Sequence, residues 1–520
     1  MKRRELIKSA ALVGGITGLP LAHATKNATV FEHGVASGDP LQDRFIIWTR
    51  VHPSQALQTV SWQLAEDREF HNIVQQGELV AQAENDFTLK LDVQKLLPAK
   101  EYFYRFVCNK EFSPIGRCKT LAAENCKQAR LAVVSCSNFP AGYFNVYRAI
   151  ANKPDYDAVV HLGDYLYEYG RGGYATQHAE ALNREPVPAN ELKSLKDYRL
   201  RHAQYKSDTD LQAMHAAHPM IAVWDDHEFA NNAWQDGSPK SKSPDAWRKQ
   251  QAAARQAYYE WMPIRENAND GINRHFTFGN LLSLSMLDTR LKGREQQPSR
   301  KAFAQGLERD REMLGQDQSN WLERQLSKNS CRWTAIGQQV MVSPFHMPDL
   351  RKVADPNGDS EFARSRSRKH YQAVIESSKY GQPMLLDAWD GYPKARDRFL
   401  EILGKHSVNA VILTGDIHTG ICSQISIPSK PQQKITELIT SSVTSPGLDD
   451  YLPSFQGSSV SDAFIEKNPH LSYVNGKDKG WIDVDFQVDK MSARWMTVDN
   501  IHSYSFTVNE KYKKTVTAKG

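Results

Sequence analysis

Three stretches of the chain end in carboxylates set beside glycine or histidine, a combination suited to holding cations. The first is HLGDYLYEYG, where Gly163 and Asp164 close an apolar run. A carboxylate has two oxygens and can bridge two ions a few ångströms apart, as a two-metal site requires. Tyr167, three residues on, can turn back onto the same cluster or pack in the core. The second is WDDHEFANN, with Asp225, Asp226 and His227 adjacent. If the chain turns helical there, His227 and Asn231 share a face at i, i+4; the same residues also make plain salt bridges and helix caps. The third is AVILTGDIHTG, in which Asp416 and His418 alternate along an extended segment and so point to one side, between Gly415 and Gly420. Metal-assisted hydrolysis is the chemistry open to such a set. No GxSxG occurs, so Ser135 and Ser137 form no nucleophile elbow. Cys136, in VVSCSN, taken alone reads as an inert buried thiol.

These residues need elements that hold them. LAVVS precedes Cys136, AVVHLG leads to Asp164, MIAVW to Asp225, LLSLSML to Asp288 and AVILTG to Asp416. Apolar runs of this length, buried on both faces, are core strands of a layered α/β domain. Their polar ends fall where such folds gather ligand-binding groups. YFNVYRAIANK, DAWRKQQAAARQAYYEWM and the stretch around SNWLERQLSK read as helices. Residues 28–122 differ: RFIIWTRV, VSWQLAED, FTLKLDVQKL and YFYRFVCNKE alternate with period two between turns, which predicts a small β-sandwich of immunoglobulin or fibronectin type. AAENCKQA connects it to a second domain over 129–510. Residues 236–245 and 351–370 read as loops. The second carries Arg364, Arg366, Arg368 and Lys369, either a solvated surface or an attraction for an anionic substrate.

A chain of 520 residues exceeds one ordinary core, so two domains are expected. Hydrophobic residues at 40% and charged residues at 24% give a globular profile, neither membrane-embedded nor disordered. Formal charge is +5, of which Lys2, Arg3, Arg4 and Lys8 against Glu5 account for +3. The near-neutral remainder gives no ground for a stable nucleic-acid partner or an anionic membrane. Residues 1–24 read as a twin-arginine signal: paired Arg3 and Arg4, then an apolar stretch well short of the ~20 residues that span a bilayer, then Ala22-His23-Ala24. The expectation is a chain exported by the twin-arginine machinery, periplasmic or secreted, with no transmembrane anchor in the mature form. Six cysteines are too few for a disulfide scaffold. Cys108 and Cys118 flank a Pro-Gly turn and are candidates to bridge a hairpin.

The order GD, DDHE, GDIH, each at a strand end, resembles the metallophosphoesterase signature of GD, GNHE and GHxH. It departs where Asp226 replaces Asn and Asp416 replaces the first His. Both changes put anionic oxygen in place of neutral ligands and favour harder or more highly charged cations. With Cys136 and Tyr167, the chain is similar to the PhoD-type alkaline phosphatases, a group that includes phospholipase D-like phosphodiesterases. FEHGVASGDPLQDRFIIWTRV resembles the opening of the family's N-terminal domain. VVSCSN, HLGDYLYEYG, WDDHEFANN, LDTR, WDGYP, LTGDIHTG and NPHLSYVNGKDKGW resemble its later blocks in order.

The resemblance implies an α+β fold, with an N-terminal fibronectin-like sandwich followed by a four-layer α/β/β/α metallophosphatase domain. It implies Fe3+ and Ca2+: Cys136, Asp164, Tyr167 and His418 hold the iron, Asp164 bridges to calcium, and Asp226 and Asp416 complete an oxygen-rich site. Thiolate and phenolate are good ferric donors and calcium takes 6–8 oxygens, so the chemistry agrees. Asn231 is a ligand or a phosphate contact. His227 would protonate the leaving alkoxide or steady the phosphate. Arg290 would bind a phosphate oxygen with its fork or pair with Asp288. The expected activity is alkaline hydrolysis of phosphomonoesters, and of diesters, by a metal-activated hydroxide, on small-molecule or lipid phosphate esters. The alternatives are a dedicated phosphodiesterase or phospholipase D-like enzyme, and, from another class, a surface or carbohydrate-binding protein with structural metals.

Overall fold

The computed structural model describes residues 30–52, 57–266, 271–306, 309–455 and 459–519; the signal read at 1–24 lies outside the described residues. The apolar runs before the candidate residues fold as strands. Gln128–Val134, Ala158–His161 and Met220–Ala222 lie parallel, with Val159 opposite Ala132 on one side and Met220 on the other. From Leu131 onward every residue of the three is buried, which is why they read as continuous apolar runs without alternation. They form the middle of a nine-stranded sheet. Its order is Val508–Thr517, Lys490–Val498, Lys479–Gln487, Gln128–Val134, Ala158–His161, Met220–Ala222, Val35–Gly38, Phe45–Arg50 and Thr88–Val93.

A seven-stranded sheet carries the third motif on Ala410–Thr414, between Trp333–Gln338 and Lys430–Ile439 and parallel to both. The two sheets share a core in which Leu131, Val133 and Val160 join Ala335, Val411, Leu413 and Leu438. Each fully buried Leu, Ile or Val of such a core contributes about 1.5–3 kcal/mol. On the other face of the seven-stranded sheet, Ile336 and Ile412 pack with Trp321 and Leu322 of helix Gly315–Ser327 and with Phe399 and Leu403 of helix Pro393–His406. Helices Asn145–Ala151, Leu195–Lys206, Thr209–Ala217 and Pro244–Trp261 pack against the nine-stranded sheet. The result is a mixed α+β, sheet-rich fold.

The N-terminal strands are tied into this body. Val35–Gly38, Phe45–Arg50 and Thr88–Val93 extend the nine-stranded sheet, entering it in parallel where Gly38 faces Met220. A five-stranded sheet built on Ile73–Gln82, Leu57–Ala65 and Glu101–Cys108 faces them, and Phe45, Ile47, Trp62, Leu64, Tyr104 and Phe106 fill the space between. Along Glu101–Cys108 the alternation is strict, with Tyr102, Tyr104, Phe106 and Cys108 inward.

One open possibility closes here and one expectation is corrected. Cys118 pairs opposite Tyr102, whereas Cys108 ends the same strand six residues further on. That is about 20 Å of strand, against a Cα separation limit of about 7 Å for a disulfide. Cys108 and Cys118 therefore do not bridge; both are free and buried. The stretch read as a loop at 351–370 contains helix Glu361–Ser365 and the start of helix Arg368–Ser377. Ser360 and Ser367 cap them, each accepting from the N–H of Phe362 or His370 at 3.2 Å. Serine starts helices as readily as it fills loops, which misleads a reading by composition.

Candidate metal centre

Two of the three motifs, and the turn carrying Cys136, bend at residues in the left-handed backbone region. φ is 62° at Cys136, 54° at Asp164, 63° at Asp416 and 57° at His418. Holding a non-glycine residue there costs on the order of 1–3 kcal/mol and persists only where the surroundings fix it. Here Cys136 N donates to Gly163 O at 3.1 Å and Ser137 N to Asp164 O at 2.8 Å. The buried Glu228 carboxylate accepts from the N–H groups of Asp164 (3.1 Å), Tyr165 (2.6 Å) and Asp225 (2.8 Å), binding two motifs together. Gly163 is required twice over: its φ is 103°, and a Cβ there would lie 2.4 Å from Asp225 Cβ.

The turns bring the donors together. Ligand atoms of Cys136, Asp164 and His418 lie within 4.8 Å of one another, as do those of Asp164, Asp226 and His227, and those of Asp225, Asp226 and Asp416. Asp164 and Asp226 each belong to two groups, the arrangement a bridging carboxylate needs. Tyr167 Oη lies 2.9 Å from Asp164 Oδ2 and 3.1 Å from His418 Nε2, and Ser445 Oγ donates to it at 2.7 Å. His418 Nδ1 sits 2.9 Å from Pro446 O, which orients the ring so that Nε2 faces the cluster. His227 Nδ1 is 2.7 Å from Glu168 Oε2, and Glu168 Oε1 accepts from Asn231 N at 2.8 Å.

Arg290 is fully buried among carboxylates. Its Nη2 is 2.7 Å from Asp416 Oδ1 and 3.5 Å from Asp226 Oδ1, Nε pairs with Asp225, and Nη1 is 3.4 Å from Asp387 Oδ2. Asp288 instead accepts from the backbone N–H groups of Arg290 (2.9 Å) and Leu291 (2.7 Å) and from Trp224 Nε1 (3.0 Å).

Negative charge exceeds positive in this volume. Asp164, Asp225, Asp226, Asp416, Glu168 and Glu228 surround Arg290 and His227, and Asp225 Oδ2 and Asp226 Oδ1 accept no hydrogen bond. Burial pushes Asp416 up to about 7 in spite of Arg290 and holds Asp225 well above the carboxylate range. Burial acts on Asp226 too, but Arg290, His227 and the Asn232 N–H outweigh it and set it at about 2. The Cys136 thiol and Tyr167 phenol are raised by burial first and by Asp164 next. Burial opposes a charge on His227, yet Asp164, Asp226 and Glu168 lift it well above the usual imidazole value. Thiolate, phenolate and several carboxylates can ionise together in a buried volume only beside multivalent cations. The donor set fits metal ions on that ground.

The centre opens onto a cavity of about 900 Å3. Asp164, Asp226, His227, Asn231, Asp416 and His418 line it, along with Lys240, Arg364 and Arg366 and the apolar Phe362, Met384 and Leu385. Cys136, Tyr167 and Arg290 lie behind that wall. All nine residues singled out by sequence thus gather at one place. Those not singled out are Glu168, Glu228, Asp387, Tyr174 and Ser445. Glu168 and Glu228 stand inside the quoted motifs, next to Tyr167 and His227, so adjacency was their available signal. Tyr174, whose hydroxyl is 3.3 Å from His418 Nδ1, and Asp387 carry no local signal.

Residues 131–495, which build this centre, match the family model described as PhoD-like phosphatase, and residues 18–122 match PhoD-like phosphatase, N-terminal domain. The chain belongs to the PhoD-like phosphatase family. This PhoD-like phosphatase is 34% identical over 507 residues to alkaline phosphatase D of Bacillus subtilis (strain 168), spanning 91% of this chain and 80% of that protein. A solved structure of PhoD is similar with a TM-score of 0.79 and 30% identity, covering 95% of this chain and 92% of the other. The purple acid phosphatase PPD1 from yellow lupin (Lupinus luteus) seeds has a TM-score of 0.55 at 10% identity, covering 93% and 73%, and is alike in fold. The family resemblance read from the motifs is borne out. As a PhoD-like phosphatase the chain is a phosphoric ester hydrolase, metal-dependent as its family is.

Proposed function

We propose that this phosphatase hydrolyses phosphomonoesters, and diesters as well, outside the cytoplasm at a mixed Fe3+/Ca2+ centre. The observation that carries the reading is the meeting of Cys136, Asp164, Tyr167 and His418 around one point. Thiolate and phenolate suit a ferric ion. The carboxylates of Asp164, Asp226 and Asp416 beside them suit calcium, which takes 6–8 oxygens. Bound there, such ions supply Lewis acidity toward phosphoryl oxygens and a nucleophilic water.

The chain's own residues do the rest. His227, anchored through Nδ1 by Glu168, turns its other nitrogen to serve the leaving alkoxide or the phosphate. Asn231, on the cavity wall, contacts the phosphate or a metal. Arg290 has no exposed surface, which favours orienting Asp226 and Asp416 over direct contact with substrate. The room beyond the acidic floor, lined by Lys240 and Arg366 and by the apolar Phe362, Met384 and Leu385, accommodates a second ester substituent. That favours diesters alongside monoesters and keeps a dedicated phosphodiesterase or phospholipase D-like enzyme as the second reading. Residues 28–122 are read as a fibronectin-like sandwich and 129–510 as the metallophosphatase domain. The signal at 1–24 would export the chain already folded and metal-loaded.

Elemental analysis of protein collected after its own export tests the metals. Iron and calcium in a violet protein that Tyr167→Phe bleaches is the expected result. A colourless protein holding zinc or manganese overturns the metal assignment and leaves the hydrolase standing. Phosphate released from a simple monoester, set against cleavage of a bis-substituted phosphate at equal enzyme, separates the two substrate readings.

A further inference from the structure

Cys126 and Cys331 are distant in sequence, but both lie against Gly279. A Cβ on Gly279 would lie 2.8 Å from Cys126 Cβ, while Cys331 Sγ stands 3.5 Å from Gly279 O. Both cysteines are half-buried, whereas Cys108, Cys118, Cys136 and Cys422 are buried. A surface cavity of about 390 Å3 opens beside the pair, lined by Cys126 itself and by Ser330 and Arg332, the neighbours of Cys331, so a reagent can reach Cys126. The surrounding backbone is held in place: Gly279 N donates to Ala122 O at 2.9 Å and Arg332 N to Asn280 O at 3.0 Å. Cys126 stands in the connector between the two family matches, after residue 122 and before residue 131.

We propose that Cys126 and Cys331 are a disulfide-forming pair, oxidised by an external disulfide of the glutathione or oxidised-dithiol class. One cysteine thiolate attacks a sulfur of the reagent and expels one thiol. The second then attacks the mixed disulfide and expels the other. Both cysteine sulfurs are oxidised, the reagent disulfide is reduced to two thiols, and the two protons leave on them. Burial, and next the neighbouring Cys126, raises the Cys331 thiol to about 11, and burial raises Cys126 as well; exchange therefore speeds up toward alkaline pH. The bridge would tie the connector to the start of strand Trp333–Gln338. It would close a loop of about 200 residues, a length at which cross-linking restricts the unfolded chain most.

The pair stands apart from the metal centre, so oxidation can be followed without an activity measurement. The full chain is incubated with oxidised glutathione at pH 8.5, alkylated without reductant and digested. The expected product is one peptide pair joining Cys126 to Cys331, lighter by two hydrogens than the separate thiol peptides, together with a raised Tm that reductant reverses. Cys126→Ser and Cys331→Ser should each remove the linked peptide and the Tm rise, while their Tm in reductant stays that of the parent. Recovery of both residues as alkylated thiols, or as separate glutathione adducts, overturns the proposal.

Discussion

At the floor of the cavity, Asp164, Asp416 and His418 sit on turns at the ends of buried strands, three of them in left-handed backbone conformations fixed by the sheet and by Glu228. At its rim, Arg364 and Arg366 stand on and just after a five-residue helix whose anchorage includes the Ser360 cap and the Arg364 pairs with Asp359 and Glu361. The floor spends backbone strain to place atoms within hydrogen-bonding distance of one another. The rim keeps ordinary geometry and lends charge and apolar surface. Positions that must be held to a few tenths of an ångström are built on strands, and positions that need only be near are built on capped short helices.

That contrast can be attacked from both ends. The largest effect is expected at Asp164→Asn. It removes an anionic oxygen shared by two ligand groups, and kcat should fall by about 10^3-fold or more, worth about 4 kcal/mol, with metal content reduced and circular dichroism unchanged. Activity retained in this variant would restore the rival reading in which the metals are structural. Glu168→Gln comes next. The side chain keeps its size but loses the charge that orients His227, so kcat should drop about 10–100-fold while bound metal stays near the parent's. Equal loss of metal would place Glu168 with the floor's ligands instead of behind His227. Arg366→Ala is the smallest. An exposed rim charge is worth at most about 1 kcal/mol, so kcat should hold and KM rise within about fivefold, the difference fading at high salt. A change in kcat at Arg366 would erase the distinction between rim and floor.

Much of the floor was legible in the sequence because its information is local. An apolar run buried on both faces followed by Gly163-Asp164 or Asp416-Ile417-His418 states both the strand and what stands at its end. Even so, the substitutions Asp226 and Asp416 gained meaning beside Cys136 and Tyr167, which are brought near them by folding alone. Asp387 and Ser445 escaped notice because nothing in LLDAW or SSVTSPG marks them; their role is set by Arg290 and Tyr167, which reach them from distant segments. Ser360 and Ser367 were misread because composition does not separate a cap from a loop. The sharing of a sheet by Val35–Gly38 and Met220–Ala222 is a tertiary pairing at one register, Gly38 with Met220, and period-two alternation reports a strand without naming its neighbour.

That shared register also decides where the sheet has an edge. Met220–Ala222 feeds Asp225, Asp226 and His227, and Val35–Gly38 covers the side of it that faces away from Ala158–His161. Without the residues before 122, the flank of this strand at Met220, whose C=O now accepts from Asp39 N, would be left as an unpaired edge. An edge of that kind templates strand addition from another molecule. Val35–Gly38 closes that edge, on the flank of the strand that leads to Asp225, Asp226 and His227.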